Sequence, residues 1–554
     1  MPKGVSSRPA PAISDKQIRD ALRAHGGNMF QSGESIGVHR STFFRRCKAL
    51  GLNTKQGKRK APPSPTNART AQSAPKVEPQ VAKTRVVILT AAQDETPLFE
   101  GALQNLKAYA AHRGGEVFIG GFTYQKGLFE DHSVRHGIFH QAVVPLLKPE
   151  VVELSPRLVW YGRANILPTA VDPLTGWDTN TRDAWAVFPH AKIALKSIPV
   201  VVGRPGKQIM TTGVITRPNY VQRNAGQKAE FHHTPGATIA EIKPDGTFFL
   251  RQLGMLRDGS FQDLNVLVKD GEILPGPQIE AITWGDIHFE VLDQDVADTC
   301  WGFDIALGAC VDTGMVDDLK PKYQFFHDTY DFKARSHHTR NDPHERAMRL
   351  QEGEDNVEDM FYRTARFLDA TRRPGTTSVL IGANHDAGHL DKWLKDPAGH
   401  FDGVNSLVWH DLNSAWLRAI RDGEGSKFAA YEHGLKTLGR RSGHTLDDMS
   451  MLQRGASYLI CQDTAPIECG LHGDAGPGGA KGSPTGFAKI VERVNLAHSH
   501  APCIREAAYY AGTSSRLILP YMTKGPTNWA HSEIVTYSSG KRCIVTLSNG
   551  AYRA

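Results

Sequence analysis

The sequence predicts an α/β protein of several domains, and three observations lead to this prediction. The chain has 554 residues, which is too long for a single ordinary hydrophobic core. Its C-terminal half contains five apolar, β-prone runs, each followed by a short cluster that contains His, Asp or Asn. Its first 84 residues contain 16 Lys and Arg against 4 Asp and Glu, so they form a region of a different kind.

The composition predicts a globular protein without membrane segments. Hydrophobic residues make up 40% of the chain and charged residues 22%. Every apolar run is shorter than the roughly 18 residues of a membrane span, and no apolar signal segment follows Lys3 and Arg8. The seven cysteines include no CxxC pair, which indicates a reducing compartment. We therefore expect a cytoplasmic protein whose thiols are core side chains.

The charge is unevenly distributed along the chain. Residues 1–84 carry a net charge of +12, whereas the whole chain carries +7, so the remaining residues carry −5. A basic end can bind a polyanion, and a mildly acidic body is compatible with cation binding.

Residues 1–52 are predicted to form a small helical DNA-binding module. Ser14 can cap a helix over residues 15–25, and residues 38–50 form a second amphipathic helix that ends at Gly51. The segment GVHRSTFFRRCKALGL resembles the turn and recognition helix of Fis-like helix-turn-helix regulators, which implies that the second helix enters the major groove. Its candidate DNA contacts are Arg40, Ser41, Thr42, Arg45 and Arg46. A basic helical packing or oligomerisation unit is the alternative.

Residues 53–84 are predicted to be a disordered basic linker. The segment is rich in Lys, Pro, Ala, Ser and Thr and shows no apolar periodicity. A run of basic residues between 55 and 60 would add affinity for a phosphate backbone. A solvated tether without a partner is the alternative.

Residues 85–276 are predicted to be an α/β accessory domain. A buried strand starts at Arg85, a helix covers residues 98–112, and the segment GEVFIGGF forms a second strand. This strand–helix–strand order predicts a parallel sheet. The segment contains neither a phosphate-binding glycine loop nor a nucleophile motif. It could line a substrate channel or form an oligomer interface, and the sequence leaves both possibilities open.

Residues 277–554 are predicted to be the catalytic domain, because polar clusters follow its five strand-like runs. The runs cover residues 279–284, 323–326, 378–381, 467–471 and 494–497. The clusters cover residues 285–288, 327–328, 384–386, 472–474 and 498–500. Strand ends that meet at one edge of a sheet can bring such clusters together in one site.

The side chains of these clusters are typical metal ligands. The candidate ligands are two carboxylates, one amide and four imidazoles: Asp286, Asp328, Asn384, His288, His472, His498 and His500. Positions 286 and 288 are two residues apart, as are 498 and 500, so each pair can project to one side of an extended strand. The set is too large for one tetrahedral ion and predicts two divalent ions. We expect Mn²⁺, with Fe²⁺, Zn²⁺ or Mg²⁺ as alternatives, because two such ions can bind a phosphoryl group and activate water.

The order of the clusters resembles that of the calcineurin-like metallophosphoesterase superfamily, over roughly residues 279–503. The resemblance implies a β-sandwich flanked by helices, and it implies two ligand sets that share one carboxylate. The sets are Asp286, His288, Asp328 and His500 for the first ion, and Asp328, Asn384, His472 and His498 for the second.

The resemblance also assigns a catalytic pair. His385 resembles the family's transition-state-stabilising or leaving-group-protonating histidine, and Asp386 would orient it through the far ring nitrogen. The second cluster departs from the family pattern, since His327 stands where glycine is usual. Asp331 is the nearest rival of Asp328 as a ligand.

Basic residues near the clusters predict a polyanionic substrate. The segment FKARSHHTRNDPHERAMR lies between the second and third clusters, and its candidate phosphate contacts are Arg335, His337, His338 and Arg340. A solvated loop followed by a helix is the alternative for this segment. Together with the basic N-terminus, the core predicts a DNase, a phosphodiesterase related to the SbcD-type nucleases of the superfamily.

The combination of a helix-turn-helix, an α/β region and such a core resembles, more loosely, the early host-DNA-degrading nucleases of T5-like bacteriophages. This resemblance implies an enzyme in the cytoplasm of an infected bacterium that assembles as a homo-oligomer. Two alternatives stay open. One is a phosphomonoesterase or small-molecule phosphodiesterase of the same superfamily, and the other is a DNA-binding regulator with an inactive core.

Overall fold

The computed structural model divides into two compact units, Met1–Val81 and Ala82–Ala554. It describes residues 14–25, 32, 35–36, 43, 47, 50, 52, 83–123, 138–336, 339, 341–519 and 525–554. Among these residues, no helix combines the length and the apolar character that crossing a bilayer would require.

The described part of the first unit contains helix α1 (Asp15–Ala24), as the sequence predicts. A capping box closes its N-terminus: the Gln17 backbone N–H donates to Ser14 Oγ at 3.3 Å, and the Ser14 N–H donates to Gln17 Oε1 at 2.8 Å. A small buried core contains Ile18, Ala21 and Leu22 of α1 together with Phe43 and Cys47 from further along the chain. Two sets of predictions lie outside the described residues: linker residues 53–82 and the DNA contacts Arg40, Ser41, Thr42, Arg45 and Arg46.

The second unit contains a six-stranded sheet, called here the first sheet. Its strands, in spatial order, are β18 (Ser450–Leu452), β17 (Thr377–Ile381), β16 (Tyr323–Phe326), β13 (Ile279–Thr283), β24 (Ser532–Tyr537) and β25 (Arg542–Thr546). The four strands from β18 to β13 are parallel neighbours, whereas β24 and β25 are antiparallel. The carboxyl ends of the parallel strands therefore lie at one edge of the sheet.

A ten-stranded sheet, called here the second sheet, combines strands from distant parts of the chain. In spatial order they are β19 (Leu459–Ile460), β20 (Ile467–Glu468), β21 (Arg493–Leu496), β23 (Ala508–Tyr510), β22 (Cys503–Arg505), β6 (Leu195–Ile198), β7 (Lys207–Thr211), β5 (Trp185–Phe188), β4 (Leu158–Tyr161) and β3 (Val151–Ser155). The two halves join where β22 pairs antiparallel with β6. Residues on both sides of the predicted boundary at 276 thus share one sheet.

Three smaller sheets complete the second unit. The four-stranded sheet has the order β2 (Glu116–Phe122), β1 (Arg85–Gln93), β8 (Gly236–Ile242) and β9 (Phe248–Gly254). The three-stranded sheet has the order β10 (Phe261–Asp263), β11 (Val266–Lys269) and β12 (Glu272–Pro275). The two-stranded sheet consists of β14 (Phe303–Asp304) and β15 (Ala309–Cys310). The strands β1 and β2 are parallel neighbours, as the sequence predicts.

The helices of the second unit, within the described residues, are mostly found between the strands of the first sheet. They are α2 (Ala102–His112), α3 (Asn224–His232), α4 (Gln294–Trp301), α5 (Met315–Leu319), α6 (Pro343–Glu352), α7 (Val357–Thr371), α8 (Leu390–Leu394), α9 (Ser406–Arg421), α10 (Ala430–Arg441) and α11 (Pro484–Phe487). Together with the sheets they form a mixed α/β architecture.

The first sheet is buried on both faces. Because side chains alternate along a strand, Phe325 faces one way and packs with Ile460 and Ile467 of the second sheet, whereas Phe326 faces the other way and packs with Trp301 of α4 and Phe367 of α7. The core therefore consists of two facing sheets with helices against the outer face of the first. The five strand-like runs that precede the polar clusters all form strands, namely β13, β16, β17, β20 and β21.

Candidate metal centre

The five polar clusters follow the carboxyl ends of parallel strands in the two facing sheets. Three follow β13, β16 and β17 of the first sheet, and two follow β20 and β21 of the second. Four of them lie in loops, and the cluster after β17 begins a π-helical turn over Asn384–His389. The loops after β13 and β16 run side by side, since the backbone N–H of His288 donates to the Asp328 carbonyl at 2.8 Å. Parallel pairing within each sheet, together with the packing of the two sheets, brings together residues that are more than two hundred positions apart.

The first ligand group consists of Asp286, His288 and His500, whose candidate ligand atoms lie within 4.8 Å of one another. Nε2 of His500 is 2.9 Å from Oδ2 of Asp286 and 3.1 Å from Nε2 of His288. All three residues are buried. Two ring nitrogens that face each other beside a carboxylate are a suitable arrangement for ligands of one cation.

The second ligand group consists of Asp328, His472 and His498, again with candidate ligand atoms within 4.8 Å. Nε2 of His472 is 3.1 Å from Oδ2 of Asp328 and 2.9 Å from Oδ1 of Asn384. The same Asn384 oxygen is 3.1 Å from Nδ1 of His498. The structure thus brings the seven predicted ligands together in two adjoining groups.

A buried carboxylate oxygen without a hydrogen-bond partner marks this site. Within the described residues, Oδ1 of Asp286 receives no hydrogen bond, whereas Oδ2 of Asp286 and Oδ2 of Asp328 face the imidazole nitrogens of His500 and His472. Buried polar groups are nearly always satisfied, so the exception at Asp286 requires an explanation. Buried carboxylate oxygens that face several imidazole nitrogens are a suitable donor set for a divalent cation. The residues therefore fit a divalent metal ion.

The backbone at the ligands is also unusual. Four of them adopt left-handed φ angles that non-glycine residues seldom populate: His288 at 43°, Asp328 at 39°, His498 at 67° and His500 at 55°. Such a conformation costs on the order of 1–3 kcal/mol per residue and is typical of functional sites. The fold therefore holds these side chains in place at the expense of local stability.

The charges of the two groups balance one another. Burial opposes ionisation of Asp286, but His472 and His500 outweigh it and hold the pKa of Asp286 below its usual range. Burial also disfavours the His472 cation, but Asp328 and Asp286 raise the pKa of His472 to about 9. Asp286 is therefore anionic at neutral pH, which is the form in which a carboxylate binds a metal ion.

His385 lies beside the ligands, but its side chain is more exposed than those of Asp286 and His472. Its side chain is 24% exposed, against 0% for Asp286 and His472. Its ring centroid is 4.7 Å from that of His288, and its backbone N–H donates to Oδ1 of Asp328 at 3.0 Å. His385 can therefore contact a substrate that approaches the two ligand groups.

The carboxylate that orients His385 is Asp331, and not Asp386 as the sequence predicts. Oδ1 of Asp331 is 3.0 Å from Nδ1 of His385 and 3.3 Å from Nδ1 of His288, so one carboxylate orients two rings. Glu290 fixes the Asp331 loop by accepting hydrogen bonds from the backbone N–H groups of Asp331 at 2.6 Å and Phe332 at 3.1 Å.

Asp386 supports the backbone of the same loop. Its Oδ1 accepts hydrogen bonds from the Tyr330 backbone N–H at 3.1 Å and the Thr329 hydroxyl at 3.3 Å. Burial, with a further contribution from Asp328, raises the pKa of Asp386 to about 8. Its side chain thus contacts the segment between Asp328 and Asp331, and the described contacts do not include the His385 ring.

Arg335 is not available for the phosphate contact that the sequence predicts. Its side chain is only 3% exposed, and its guanidinium donates to Oδ1 of Asp402 at 2.6 Å and to Oδ2 of Asp355 at 3.1 Å. Asp402 lies in a loop 67 residues further along the chain than Arg335, so this pairing is a tertiary feature. The other predicted phosphate contacts, His337, His338 and Arg340, lie outside the described residues.

Two further side chains contact the ligands and have no clear signal in the sequence. His327 is fully buried against His472, with their Nδ1 atoms 3.4 Å apart. Trp529 meets the His500 ring edge-on, with centroids 4.1 Å apart. The sequence signals the role of His327 only through its position directly before Asp328, because a strand end places neighbouring residues near the same site.

These features define an α/β protein with buried His and Asp groups that could hold a metal ion. No family model matches the chain. The chain is 32% identical over 477 residues to Protein A1 of Escherichia phage T5, an alignment that covers 84% of this chain and 82% of that protein. The chain therefore belongs to the Protein A1 family, and the relationship supports a phage origin.

Proposed function

We propose that the protein is a metal-dependent DNase that hydrolyses phosphodiester bonds in the cytoplasm of a phage-infected bacterium. The observation that carries the proposal is the pair of adjoining ligand groups, each of which places a buried carboxylate against two imidazole rings. Two such groups side by side are a suitable donor set for two divalent cations.

The two groups would hold two divalent cations. Asp286, His288 and His500 would bind the first, His472, His498 and Asn384 the second, and Asp328 lies within reach of both groups. Two bound cations supply Lewis-acid stabilisation of phosphoryl oxygens and lower the pKa of a water molecule. The mixed nitrogen and oxygen donors suit Mn²⁺, Fe²⁺ or Zn²⁺, and Mn²⁺ is the ion that we would test first.

His385 would act on the phosphate or on the leaving group. Asp331 engages Nδ1 of its ring, which leaves Nε2 to donate a proton or a hydrogen bond. Burial disfavours the imidazolium, but in the metal-free chain Asp328 and Asp331 raise the pKa of His385 above its usual range, which favours a ring that carries a proton. A protonated ring can stabilise negative charge and protonate a departing oxygen.

The charge distribution supports DNA as the substrate. Residues 1–84 carry a net charge of +12 ahead of an acidic body. Such a basic segment binds phosphate backbones in a salt-dependent manner and raises the local concentration of nucleic acid. A small phosphate ester would gain little from it, which is why we favour DNA over a small-molecule substrate.

The test is a cleavage assay on the full chain with Mn²⁺ and circular duplex DNA. We expect Mn²⁺-dependent cleavage that a chelator abolishes and that Asp286→Asn removes. Asp447→Asn is the matched control, because Asp447 is an exposed aspartate with a 61% exposed side chain. Hydrolysis of a chromogenic monoester but not of DNA would replace the nuclease proposal with a phosphomonoesterase. If the chain cleaves neither DNA nor a small diester or monoester with any of Mn²⁺, Fe²⁺, Zn²⁺ or Mg²⁺, the proposal that it is a phosphoesterase is wrong.

A further inference from the structure

A fourth parallel strand of the first sheet ends at the same edge as the strands that carry the ligands. The strand β18 pairs in parallel with β17, so that Leu452 lies beside Ile381. The two segments stay in contact beyond the strands, because the Gly382 backbone N–H donates to the Leu452 carbonyl at 2.9 Å. A Cβ atom on Gly382 would lie only 2.5 Å from the backbone nitrogen of Arg454. Arg454 therefore lies beside the segment that leads into the candidate ligand Asn384.

A carboxylate holds the Arg454 side chain at this edge. The Arg454 guanidinium forms an ion pair with Asp474, which lies two residues after the candidate ligand His472. The side chain of Asp474 is only 7% exposed, and its charge acts on the rings of both His472 and His498. Among the described ion pairs of Lys and Arg, this is the one whose carboxylate adjoins a candidate ligand. Arg454 is thus connected to the second ligand group through a single side chain.

Most of the Arg454 guanidinium stays available for another partner. Its side chain is 47% exposed, and its ion pair with Asp474 uses one of the two Nη atoms. A guanidinium has five N–H donors in a fixed plane, so the others can donate to a second anion. Because Asp474 already restrains the side chain, less entropy is lost when that anion binds. By contrast, Arg335, which the sequence predicts to contact phosphate, is only 3% exposed.

A second cation lies in the loop that contains Asp474. Residues 473–482 form a short hairpin, in which the Gly482 backbone N–H donates to the Asp474 carbonyl at 2.8 Å and Lys481 pairs with Ala475. Lys481 is exposed, and no described carboxylate forms an ion pair with it. We call Arg454 and Lys481 the hairpin cations, since one is bound to the base of the hairpin and the other belongs to it.

We infer that the hairpin cations bind the DNA backbone at phosphates that flank the one held by the metal ions. The inference rests on the proposed function. Because Asp474 lies between the Arg454 guanidinium and His472 in this chain of contacts, Arg454 meets a neighbouring phosphate and not the phosphate at the ions. Guanidinium and ammonium groups are the usual side-chain partners of phosphate oxygens. Contacts of this kind fix the register of a strand without reading its sequence, so they would set which bond enters the site.

The salt dependence of DNA binding tests these contacts without relying on cleavage. The full chain would carry His385→Gln and Mn²⁺, so that the site is loaded but slow, and its affinity for a labelled duplex oligonucleotide would be measured at several salt concentrations. Each lost phosphate contact lowers the slope of log K against log salt by about 0.9. Arg454→Gln and Lys481→Gln should each have this effect, and the double variant should lower the slope by about 1.8.

Two controls separate a phosphate contact from a structural role. Arg454→Lys keeps the charge and should keep the wild-type slope. Arg440→Gln is the matched control, because Arg440 also pairs with an aspartate, Asp447, and its side chain is 62% exposed. Its slope should equal that of wild type. Equal unfolding midpoints in urea would show that all of these variants are folded, since the substituted side chains are exposed.

Hydrolysis of two substrates by the otherwise wild-type chain gives a second readout. A small chromogenic diester has a single phosphate, so Arg454→Gln should lower kcat/KM for DNA relative to that diester by about tenfold or more, as expected for a charge-assisted hydrogen bond. Slopes that stay at the wild-type value in both single variants and the double variant would overturn the inference. An equal loss on DNA and on the diester would also overturn it, because Arg454 would then contact the phosphate at the ions. A wild-type chain that cleaves neither substrate would contradict the proposed function, and the slopes would still decide the phosphate contacts.

Discussion

The second unit contains two buried clusters of ionisable side chains, and they differ in how completely their charges and polar atoms are paired. Around Arg251, every charge is matched: Arg251 donates to Glu241 at 3.0 Å through both Nη atoms and to Oδ2 of Asp263 at 2.6 Å. Tyr109 also donates to Asp263, and Arg113 to Glu241. We call this cluster the Arg251 network.

The residues of the candidate metal centre are buried as deeply, but not all of their polar atoms have hydrogen-bond partners. Oδ1 of Asp286 receives no hydrogen bond from a described residue, and both Asp328 and His288 have left-handed φ angles. The acidic and basic residues of the Arg251 network have neither feature. Unsatisfied atoms together with backbone strain, and not burial or charge alone, therefore distinguish the candidate functional cluster from the structural one.

Asp328→Asn should give the largest functional change, because Asp328 lies within reach of both ligand groups. We expect DNA cleavage to fall by about 10³-fold or more, equivalent to about 4 kcal/mol. In the presence of a chelator, stability should change by less than about 1 kcal/mol, since asparagine tolerates the left-handed backbone. Steady-state cleavage and urea unfolding measure the two effects. Near-normal cleavage by this variant would remove Asp328 from the site.

Arg251→Met should do the reverse and destabilise the fold while sparing the metal centre. Removing the cation leaves the buried Glu241 and Asp263 without their main partner, which costs about 3–5 kcal/mol. Arg440→Met is the control, because Arg440 is 62% exposed in its ion pair with Asp447 and should cost less than about 1 kcal/mol. The unfolding midpoint in urea gives the comparison, and equal midpoints for the two variants would contradict it.

His385→Gln should retain bound metal but lower cleavage by about 10²-fold or more, because a proton donor is lost.

Asp331→Asn tests the orienting carboxylate through the pH profile. Since Asp331 helps to raise the pKa of His385 to about 10, its removal should move the alkaline loss of activity to lower pH. Asp386→Asn should leave that alkaline limb in place. A shift caused by Asp386→Asn, and not by Asp331→Asn, would restore the role predicted from the sequence.

Acid should weaken the Arg251 network, with the smallest of these effects. Burial alone would raise the pKa of Glu241, but Arg251 and Arg113 lower it from 4.5 to about 2. A carboxylate with a lowered pKa stabilises the fold above its ordinary pKa, and this stability is lost as the pH falls from about 4.5 towards 2. The difference in urea midpoint between wild type and Glu241→Gln should therefore shrink over that range. A constant difference would contradict the assignment.

The sequence was informative where local pattern decides structure. The runs before Asp286, Asp328 and Asn384 form β13, β16 and β17, because short apolar runs bounded by polar residues form buried strands. Their parallel pairing then places the ligands at one edge of the sheet. The ligand set could be proposed in advance because it depends on strand ends and not on loop detail.

The sequence was less informative where distant segments meet. Which carboxylate reaches His385 depends on how Glu290 fixes the Asp331 loop, and no pattern in the sequence encodes that contact. The burial of Arg335 depends on Asp402, which lies 67 residues further along the chain. The second sheet depends on β22 pairing with β6, roughly 300 residues apart, so a linear division at 276 could not anticipate it.

Metal titration of the full chain tests the central claim most directly. Isothermal calorimetry with Mn²⁺, supported by elemental analysis of the purified protein, should give about two ions per chain, and Asp328→Asn should lower the affinity at both sites. Arg251→Met should leave the stoichiometry unchanged. If the wild-type chain binds no divalent ion, or if Asp328→Asn binds two ions as tightly as wild type, the buried His and Asp groups are not a metal centre.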